Sequence, residues 1–323
     1  MPSIFHQILP HLSNNESLAL CTVVSARGST PQQRGAKMAV FPNGQTIGTL
    51  GGGCVEAEVR TQALSQIPIG QSKTSSFRLD HDYGWDDGLI CGGIMDIHID
   101  ILAGHSAQAT VQKICTAIDT RNPTEFSINY TTERGSQIYT EEILPPPHLV
   151  IAGAGHVGCA LADLMRKLDF DLTIIDDRPD VLSEERFPQS HRIVGDIETE
   201  LTHFNIDPQT YIVIVTRGHR HDGHALAAVI RSSAAYIGLI GSRKKIRTIL
   251  SDLHQQGVSD EKLLSVHAPI GLNIGAITPH EIAVSIAAEL VASRRGRGDQ
   301  PAKPMKITPE FLHSFLNRKS PAE

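Results

Sequence analysis

Residues 148–158 read HLVIAGAGHVG, in which an apolar run leads into a glycine pattern at Gly153, Gly155 and Gly158. The pattern Gly-x-Gly-x-x-Gly is weak by itself, but here a helical pattern follows it and Asp176 closes the next apolar run. In dinucleotide-binding proteins, such a turn holds phosphates at the helix N-terminus and the acidic residue binds a ribose. The stretch therefore predicts a Rossmann-like domain with a nucleotide site at these three glycines and Asp176.

The rest of the second half repeats the alternation of short apolar strands and helices. Strand-like runs occupy residues 148–152, 172–175, 192–194, 211–215 and 236–240, and helical patterns occupy 157–168, 221–232, 243–256 and 279–293. Short apolar strands without strict alternation, joined by helices, indicate a parallel sheet that is buried on both faces. The fold class predicted for this half is therefore α/β, with a mainly parallel sheet.

Polar loops follow three of these strands and would line the ligand crevice of such a sheet. Ser242 suits the cap of the following helix, and Arg243 can bind an anion at that N-terminus. Arg217 and His219 lie in a second such loop and add candidate ligand contacts. Ordinary capping and solvated loop charge are the alternative for any one loop, but three loops on one edge favour a ligand.

Two further details bear on the ligand of this half. If NAD(P) binds, Asp176 and Asp177 favour the unphosphorylated ribose, although the neighbouring Arg178 opposes that preference. The histidine-rich loop 219–224 could form a zinc site, but no Cys-x-x-Cys or His-Glu-x-x-His spacing accompanies it. A nucleotide is therefore the favoured ligand.

The first half contains a second glycine-rich turn, GTLGGGCVEAE at residues 48–58. Cys54 follows three glycines and precedes a helical pattern, so its thiol lies at a predicted helix N-terminus, where the dipole favours a thiolate. Because glycine lacks a Cβ, Gly52 and Gly53 let the backbone take positive φ and approach a ligand. A thiolate there could bind a soft metal, attack an electrophile or accompany an anionic ligand. A buried cysteine that merely packs is the alternative.

Around this turn the first half has an α+β pattern. Strand-like runs cover residues 18–26, 37–41, 45–50, 74–79 and 94–102, and residues 108–119 have a helical pattern. The sequence Pro42-Asn43-Gly44 between two of these runs favours a hairpin turn. We therefore expect an α+β domain with a hairpin at this turn.

Three successive prolines, Pro145 to Pro147, mark a domain boundary because they neither continue a helix nor donate to a sheet. The predicted organisation is a first domain over 1–143, a linker over 144–148, a Rossmann-like domain over 149–295, and a weakly ordered tail over 296–323 with one short helix near 309–316.

Composition excludes several classes of protein. The net charge of −6, from 29 basic and 35 acidic residues, argues against a broad nucleic-acid-binding surface. The start, MPSIFHQILPHL, lacks the features of a signal peptide, and no apolar run approaches the ~20 residues of a membrane helix. Five scattered cysteines are unlike a disulfide framework and fit a reducing compartment. We expect a cytoplasmic protein that binds neither nucleic acid nor membranes.

Two features of the first half allow more than one interpretation. The loop at residues 27–37, RGSTPQQRGAK, is basic and could hold an anion, but a surface turn is the simpler interpretation. Cys91 precedes two glycines and could form a soft-metal or redox pair with Cys54. A buried strand cysteine beside a glycine bulge is an equally good interpretation of Cys91.

Taken in order, these segments resemble the XdhC/CoxI family, the xanthine dehydrogenase accessory factors. The matching stretches span roughly residues 20–295 and read GSTPQQRGAKMAV, GGGCVEAEV, CGG, VIAGAGHVG, DDRPDVLSEERFP, TRGHRHD, YIGLIGSRKK and HAPIGLNIGAITPHEIAVSIAAELVA. The resemblance implies an N-terminal XdhC/CoxI domain and a C-terminal Rossmann domain. It also implies a chaperone that binds the molybdenum cofactor, protects it during sulfuration and delivers it to a xanthine dehydrogenase-type molybdenum hydroxylase.

Individual residues carry this resemblance at the first glycine turn. The family's cysteine in its Gly-Gly-Cys-Val-Glu motif matches Cys54, which the resemblance implicates as the ligand that holds the cofactor's metal. Gly52, Gly53 and Glu56 match the same motif, whereas Gly51 stands where a serine is usual. Molybdenum binds sulfur readily, and the pyranopterin cofactor carries a dithiolene and a phosphate, so a thiolate at a helix N-terminus suits both ends. The cytosine dinucleotide form of the cofactor is an alternative cargo.

The resemblance further implies a homodimer, with a molybdenum hydroxylase as client and a cysteine desulfurase as another candidate partner. The favoured function is an accessory protein without turnover of its own. The alternative is an NAD(P)-dependent oxidoreductase in which Cys54 is a nucleophile or metal ligand, but no catalytic acid/base pair stands out near the crevice. Regulatory nucleotide sensing by the Rossmann domain is a third hypothesis.

Overall fold

The structure is a computed structural model that describes residues 3–79, 92–132 and 135–296, with the backbone but not the side chain of His219. The chain forms two compact units, Met1–Pro145 and Pro146–Glu323, called here the first and second units. Among the helices of the described residues, none has the length and apolar character required to span a bilayer.

The first unit is built around an antiparallel five-stranded sheet. Its elements are α1 (Ile4–Ser13), β1 (Leu18–Arg27), β2 (Lys37–Val40), β3 (Thr46–Gly48), α2 (Gly53–Gln66), β4 (Lys73–Arg78), β5 (Ile94–Leu102), α3 (Gly104–Asp119), β6 (Thr124–Thr132) and β7 (Gly135–Ile143). The strand order is β3-β2-β1-β5-β4, and β6 and β7 form a separate hairpin. The predicted turn at residues 42–44 joins β2 to β3, and Gly44 takes a φ of 81°.

Alternate side chains of β1 pack into two different cores. Leu18 and Leu20 pack with α1, α3 and the hairpin, whereas Ala19, Cys21 and Val23 pack with α2. Because successive side chains of a strand point to opposite faces, α1, α3 and the hairpin cover one face of the sheet and α2 covers the other.

The pairing of β1 with β5 contains one irregularity. Val23 pairs with Ile97 but Ser25 pairs with Asp96, so Val24 is an extra residue of β1. Such a bulge shifts the alternation of side chains by one position. Ser25 therefore shares a face with Val24, on the hairpin side of the sheet, rather than lying on the α2 side.

A buried ion pair fastens the hairpin to the sheet. The Nζ of Lys37 pairs with Oε1 of Glu141, and only 8% of the Lys37 side chain is exposed. The Tyr139 hydroxyl donates a hydrogen bond to the other Glu141 oxygen at 2.7 Å. Burial lowers the pKa of Lys37, while the Glu141 charge counteracts that effect. Lys37 therefore depends on Glu141 to remain charged at low exposure.

The second unit contains a five-stranded parallel sheet, which confirms the predicted sheet type. Its elements are β8 (His148–Ala152), α4 (His156–Arg166), β9 (Asp171–Asp176), β10 (His191–Val194), α5 (Ile197–His203), β11 (Thr210–Ile214), α6 (His219–Val229), β12 (Tyr236–Leu239), α7 (Arg243–Gln255), α8 (Asp260–Leu264) and α9 (Pro279–Arg294). The strand order is β10-β9-β8-β11-β12, so the order reverses between β8 and β11. In open α/β sheets, ligands bind outside the carboxyl ends of the strands at such a switch point.

Both faces of this sheet are covered, as its apolar strands require. Leu149 and Ile151 of β8 pack in a core with α4 and α9, whereas Val150 and Ala152 pack in a core with α5, α6 and α7. The unit is therefore a three-layer α/β sandwich with its polar strand ends gathered at one edge.

Three predictions concern residues that lie wholly or partly outside the described part of the chain. The pairing of Cys91 with Cys54 and the short helix near 309–316 both stay predictions, as does weak order over the tail 296–323. The four cysteines within the described residues carry thiols rather than disulfides, and they are Cys21, Cys54, Cys115 and Cys159.

Candidate functional site

The first glycine turn leads directly into α2. Gly51, Gly52 and Gly53 have φ values of 109°, 76° and 64°, a left-handed conformation that favours glycine. A Cβ on Gly51 would lie 2.6 Å from the Cβ of Pro31, whereas a Cβ on Gly52 or Gly53 would meet nothing within 4 Å. The turn is therefore packed on its Gly51 side and open on the side that leads to Cys54.

Cys54 is the second residue of α2 and is half-buried. The first N–H groups of a helix have no partner within the helix, and the helix dipole makes this end positive. The residue at the cap position is Gly52, which has no side chain, so the helix begins without a side-chain cap. The structure thus places the thiol at an open helix N-terminus, as the sequence predicts.

Glu56 organises this turn from within. Its Oε2 accepts hydrogen bonds from the Thr49 hydroxyl at 2.8 Å and from the amides of Leu50 and Gly52, each at 3.0 Å. Burial acts to raise the pKa of Glu56, but these three hydrogen bonds outweigh it and the pKa is lowered. The carboxylate is therefore engaged by the protein, and Glu56 acts on a ligand through the shape of the turn.

The second glycine turn, between β8 and α4, is closely packed at two of its three glycines. Gly153 has a φ of 120°, and a Cβ there would lie 2.5 Å from the carbonyl oxygen of Val215. A Cβ on Gly158 would lie 2.1 Å from the carbonyl oxygen of Gly153. Both neighbours are backbone atoms, so these two glycines are demanded by the fold itself.

Gly155 differs from the other two glycines. It precedes α4 with a φ of −72°, a value open to any residue, and a Cβ there would meet nothing within 4 Å. Space beside a helix N-terminus without a side-chain cap is where such turns hold a phosphate. Of the three predicted glycines, Gly155 is therefore the one whose small size the fold does not need.

Asp176 ends β9 and is buried beneath the turn. Its Oδ2 accepts a hydrogen bond from the Ala154 amide at 2.7 Å, and its Oδ1 accepts one from the Arg178 amide at 3.1 Å. The Arg178 guanidinium donates to both oxygens, at 2.8 Å and 3.0 Å. Burial opposes ionisation, but these hydrogen bonds outweigh it and lower the pKa to about 2. A ribose hydroxyl would have to compete with Arg178 for this carboxylate.

Arg186 supports the same turn, and the sequence does not single it out. Its guanidinium donates hydrogen bonds to the carbonyl oxygens of Ala154, at 3.1 Å, and Val181, at 2.9 Å. A carbonyl acceptor can be supplied by any residue type, so no residue pattern in the sequence signals this contact.

The other predicted residues of this edge occupy separate positions. Arg217 pairs with Asp177 through Nη2, at 2.8 Å and 2.9 Å from its two oxygens. Ser242 caps α7 by accepting a hydrogen bond from the Lys245 amide at 3.3 Å, and Arg243 follows it exposed. The side chain of His219 lies outside the described residues.

A buried ion pair joins α6 and α7, the helices that follow β11 and β12. Asp222 is fully buried and accepts hydrogen bonds from the Thr216 amide, at 3.2 Å, and the Thr216 hydroxyl, at 2.5 Å. Its second oxygen pairs with Nζ of Lys245. From the sequence, Asp222 stands out only as part of a histidine-rich loop that could bind zinc. Within the described residues, however, no group of three or more His, Cys, Asp or Glu side chains is arranged to hold a metal ion.

Family models match both units of the chain. The model described as the XdhC Rossmann domain matches residues 149–290, and the model described as the XdhC and CoxI family matches residues 11–78. The chain belongs to the XdhC/CoxI family. The matched ranges contain both of the glycine turns described above.

Relatives of this XdhC/CoxI protein occur in Escherichia coli and Bacillus subtilis. The uncharacterized protein YqeB of Escherichia coli K12 is 29% identical over 291 residues, which are 90% of this chain and 46% of YqeB, so the chain spans about half of that relative. A protein of Bacillus subtilis 168 that is described as a probable component of xanthine dehydrogenase is 26% identical, over 90% of this chain and 98% of the relative. The molybdenum cofactor insertion chaperone PaoD of E. coli K12 is 24% identical, over 88% of this chain and 85% of PaoD.

A solved structure has the same fold as this XdhC/CoxI protein. It comes from Bacillus halodurans, is described as a xanthine dehydrogenase, and superposes with a TM-score of 0.80. The match covers 93% of this chain and 98% of that chain at 22% sequence identity, which supports the fold alone.

Proposed function

We propose that this protein is an accessory protein that binds the molybdenum cofactor, protects it in its sulfurated form, and delivers it to a xanthine dehydrogenase-type molybdenum hydroxylase. The observation that carries the proposal is Cys54 at the open N-terminus of α2, in a family that includes a relative described as a molybdenum cofactor insertion chaperone. The proposal places the protein in the cytoplasm with its client, with a cysteine desulfurase as a further partner and a homodimer as the working form.

The residues present suit the chemistry of this cargo. A thiolate is a soft ligand of the kind that molybdenum binds, and the cargo's phosphate is an anion of the kind that helix N-termini bind. The open sides of Gly52 and Gly53 leave room for a large ligand beside Cys54. Cys54 would hold the metal, while Glu56 keeps the turn in the conformation that exposes it.

Replacing Cys54 should remove cofactor retention without unfolding the protein. Serine keeps size and polarity but is a hard ligand, so retention of molybdenum and pterin on purification from a cofactor-producing host should fall at least about tenfold, or ~1.4 kcal/mol. We expect the free energy of unfolding to change by no more than about 1 kcal/mol, the scale of effects at helix N-termini. Metal and pterin analysis of the purified protein measures the retention.

A matched pair of variants controls for the loss of any thiol. Cys54→Ala and Cys115→Ala make the same change, but Cys115 is fully buried in α3, where burial raises its pKa to about 11. Cys115→Ala should keep the cofactor, and Cys54→Ala should lose it. Equal retention by wild type and both variants would mean that the Cys54 thiol only packs.

The proposed function is tested by transfer of the cargo. Protein loaded with the molybdenum cofactor, either without a nucleotide or as the cytosine dinucleotide, should activate a cofactor-free molybdenum hydroxylase. The Cys54→Ser variant should not activate it. We expect no multiple-turnover oxidation or reduction with NAD(P)H. Steady NADH consumption that depends on a small substrate, without any effect on the hydroxylase, would instead favour the oxidoreductase.

We also propose that the second unit binds a phosphate-bearing nucleotide, such as NAD(P), at the Gly155 end of its glycine turn. Support comes from the open space at Gly155 beside an uncapped helix N-terminus. Gly155→Asp should abolish binding because it adds a negative charge where the phosphate would lie, while the same open space lets the side chain fit. Calorimetry with NAD, NADP, AMP and CTP measures the effect, with Gly155→Ala as the uncharged control. Failure of all four nucleotides to bind the wild type would retire this proposal.

A further inference from the structure

A cavity of about 680 Å³ lies in the first unit between the sheet and the β6–β7 hairpin. Volumes of this order are typical of small-molecule sites. Its floor comes from β1, β4 and β5, and one wall comes from the hairpin, including Tyr130 and Gln137. Among the described residues, three arginines and one acidic residue line it, namely Arg27, Arg34, Arg78 and Asp96.

The strand register brings these side chains together. Arg27 pairs with Ile94, which pairs on its other side with Arg78, so the two arginines share one row across three strands. The next row contains Ser25, Asp96 and Ser76. Regular alternation along β1 would turn Arg27 toward α2, and the bulge at Val24 instead turns it toward the hairpin.

The cavity is distinct from the Cys54 turn. The Ser75 hydroxyl of β4 donates a hydrogen bond to Gln62 of α2 at 2.7 Å, so Ser75 faces α2. Ser76, the next residue of the strand, lines the cavity on the opposite face. The helix that carries Cys54 therefore packs on the other side of the sheet from the three arginines.

The charges of the cavity are unbalanced. Three guanidinium groups and one carboxylate give the described lining residues a formal charge of +2. The nearest contact of Arg27 with Asp96 is 3.7 Å, too long for a hydrogen bond. Arg78 is exposed and has no ion pair with any described residue. Two of the guanidinium groups therefore retain donors for a ligand.

The third arginine is held in place. The Nε of Arg34 donates to the carbonyl oxygen of Val24 at 3.2 Å, and its guanidinium lies 4.7 Å from the centre of the Tyr139 ring. On the hairpin wall, the Tyr130 hydroxyl donates to Oε1 of Gln137 at 2.9 Å, which fixes the Gln137 amide. Arg34 is held by these contacts, Arg27 and Arg78 have donors available, and the Gln137 amide lies on the facing wall. Together they form a preorganised anion site.

We propose that this cavity binds a phosphorylated small molecule, with its phosphate held by Arg27 and Arg78 and supported by Arg34. A phosphate monoester carries close to two negative charges at neutral pH, which matches the net charge of the lining. Arginine forms bidentate, charge-assisted hydrogen bonds with phosphate. The remaining volume accommodates the organic part of the ligand against Tyr130 and Ile138. The proposal is independent of the function proposed for Cys54.

The test uses the full chain carrying Gly155→Asp, so that the second unit does not contribute phosphate binding. Calorimetry with inorganic phosphate and ribose 5-phosphate should detect binding that weakens as salt is added. Arg27→Gln with Arg78→Gln should weaken it about tenfold or more, since each lost contact is a hydrogen bond to a charged group. Lys73→Gln with Lys113→Gln removes the same charge from exposed positions of β4 and α3 outside the cavity and should change binding less than about threefold.

A variant with the opposite sign excludes misfolding as the cause. Asp96→Asn removes the carboxylate of Asp96 from the cavity and should tighten phosphate binding several-fold. Hydrogen–deuterium exchange should place the protection on β4, β5 and the hairpin. Equal binding by the two double variants would overturn the proposal. So would weaker binding by Asp96→Asn, or tighter binding of succinate than of phosphate.

Discussion

Gly158→Ala should destroy the folded state of the second unit. The new Cβ would lie 2.1 Å from the carbonyl oxygen of Gly153, and Gly153 cannot retreat because it already lies against the backbone of Val215. Relief would require α4 to move away from β8, which would open the core formed by these elements. We expect a loss of ~4 kcal/mol or more in the free energy of unfolding, a large part of the stability of a typical domain.

Hydrogen–deuterium exchange of β8 and α4 is the measurement, because a protein with two units need not unfold in a single step. Gly155→Ala is the matched control, since it adds the same methyl group three residues earlier, where nothing lies within 4 Å. It should leave exchange in β8 unchanged. Similar protection of β8 and α4 from exchange in both variants would show that the turn accommodates the added methyl group at Gly158.

Glu141→Gln should loosen the hairpin of the first unit. The change leaves the Lys37 ammonium buried without its carboxylate, and breaking a buried pair in this way costs ~3–5 kcal/mol. Urea unfolding, with hydrogen–deuterium exchange of β6 and β7 as the local probe, measures the loss. Burial holds the pKa of Lys37 in the folded protein below its pKa in the unfolded chain, so deprotonation of Lys37 favours the folded state. The loss of stability in Glu141→Gln should therefore shrink as the pH rises from the folded pKa of Lys37 to its unfolded pKa.

The double variant Lys37→Met with Glu141→Gln separates charge from packing. It removes both charges, keeps an acceptor for the Tyr139 hydroxyl, and fills the space of the lysine stem, so most of the lost stability should return. A change of less than about 0.5 kcal/mol for Glu141→Gln alone would contradict the argument, since that is how an exposed ion pair behaves.

Much of the fold could be predicted because its signals are local. The parallel sheet of the second unit follows from short apolar strands, and the β2–β3 hairpin follows from Asn43-Gly44. The β6–β7 hairpin was not predicted, although Phe126, Ile128 and Tyr130 alternate with polar residues. Three helices, α1, α5 and α8, were also missed; α1 contains Pro10, and α5 and α8 are only seven and five residues long.

The sequence predicts which residues form the candidate sites, but it does not predict the contacts that these residues make. The sequence selects Glu56 and Asp176, yet it cannot show that each carboxylate is engaged by its own turn, because those partners come together only in the folded chain. The same reason hides the pair of Asp222 with Lys245, which lie on different helices. The basic loop at residues 27–37 looked like a surface turn because Arg27 and Arg78 share a row only through β5, which is distant from Arg27 in sequence.

The bulge at Val24 also changes how homologous chains should be compared. The bulge adds one residue to β1 that has no partner on β5. Deleting Val24 would therefore leave a regular strand in which Val23 still pairs with Ile97 and Ser25 with Asp96. A homologue one residue shorter at this point would keep its downstream side chains on the same faces. A homologue that gains or loses a residue elsewhere in β1 would exchange those faces, since the alternation has a period of two. In this strand, the position of a gap therefore matters more than its presence.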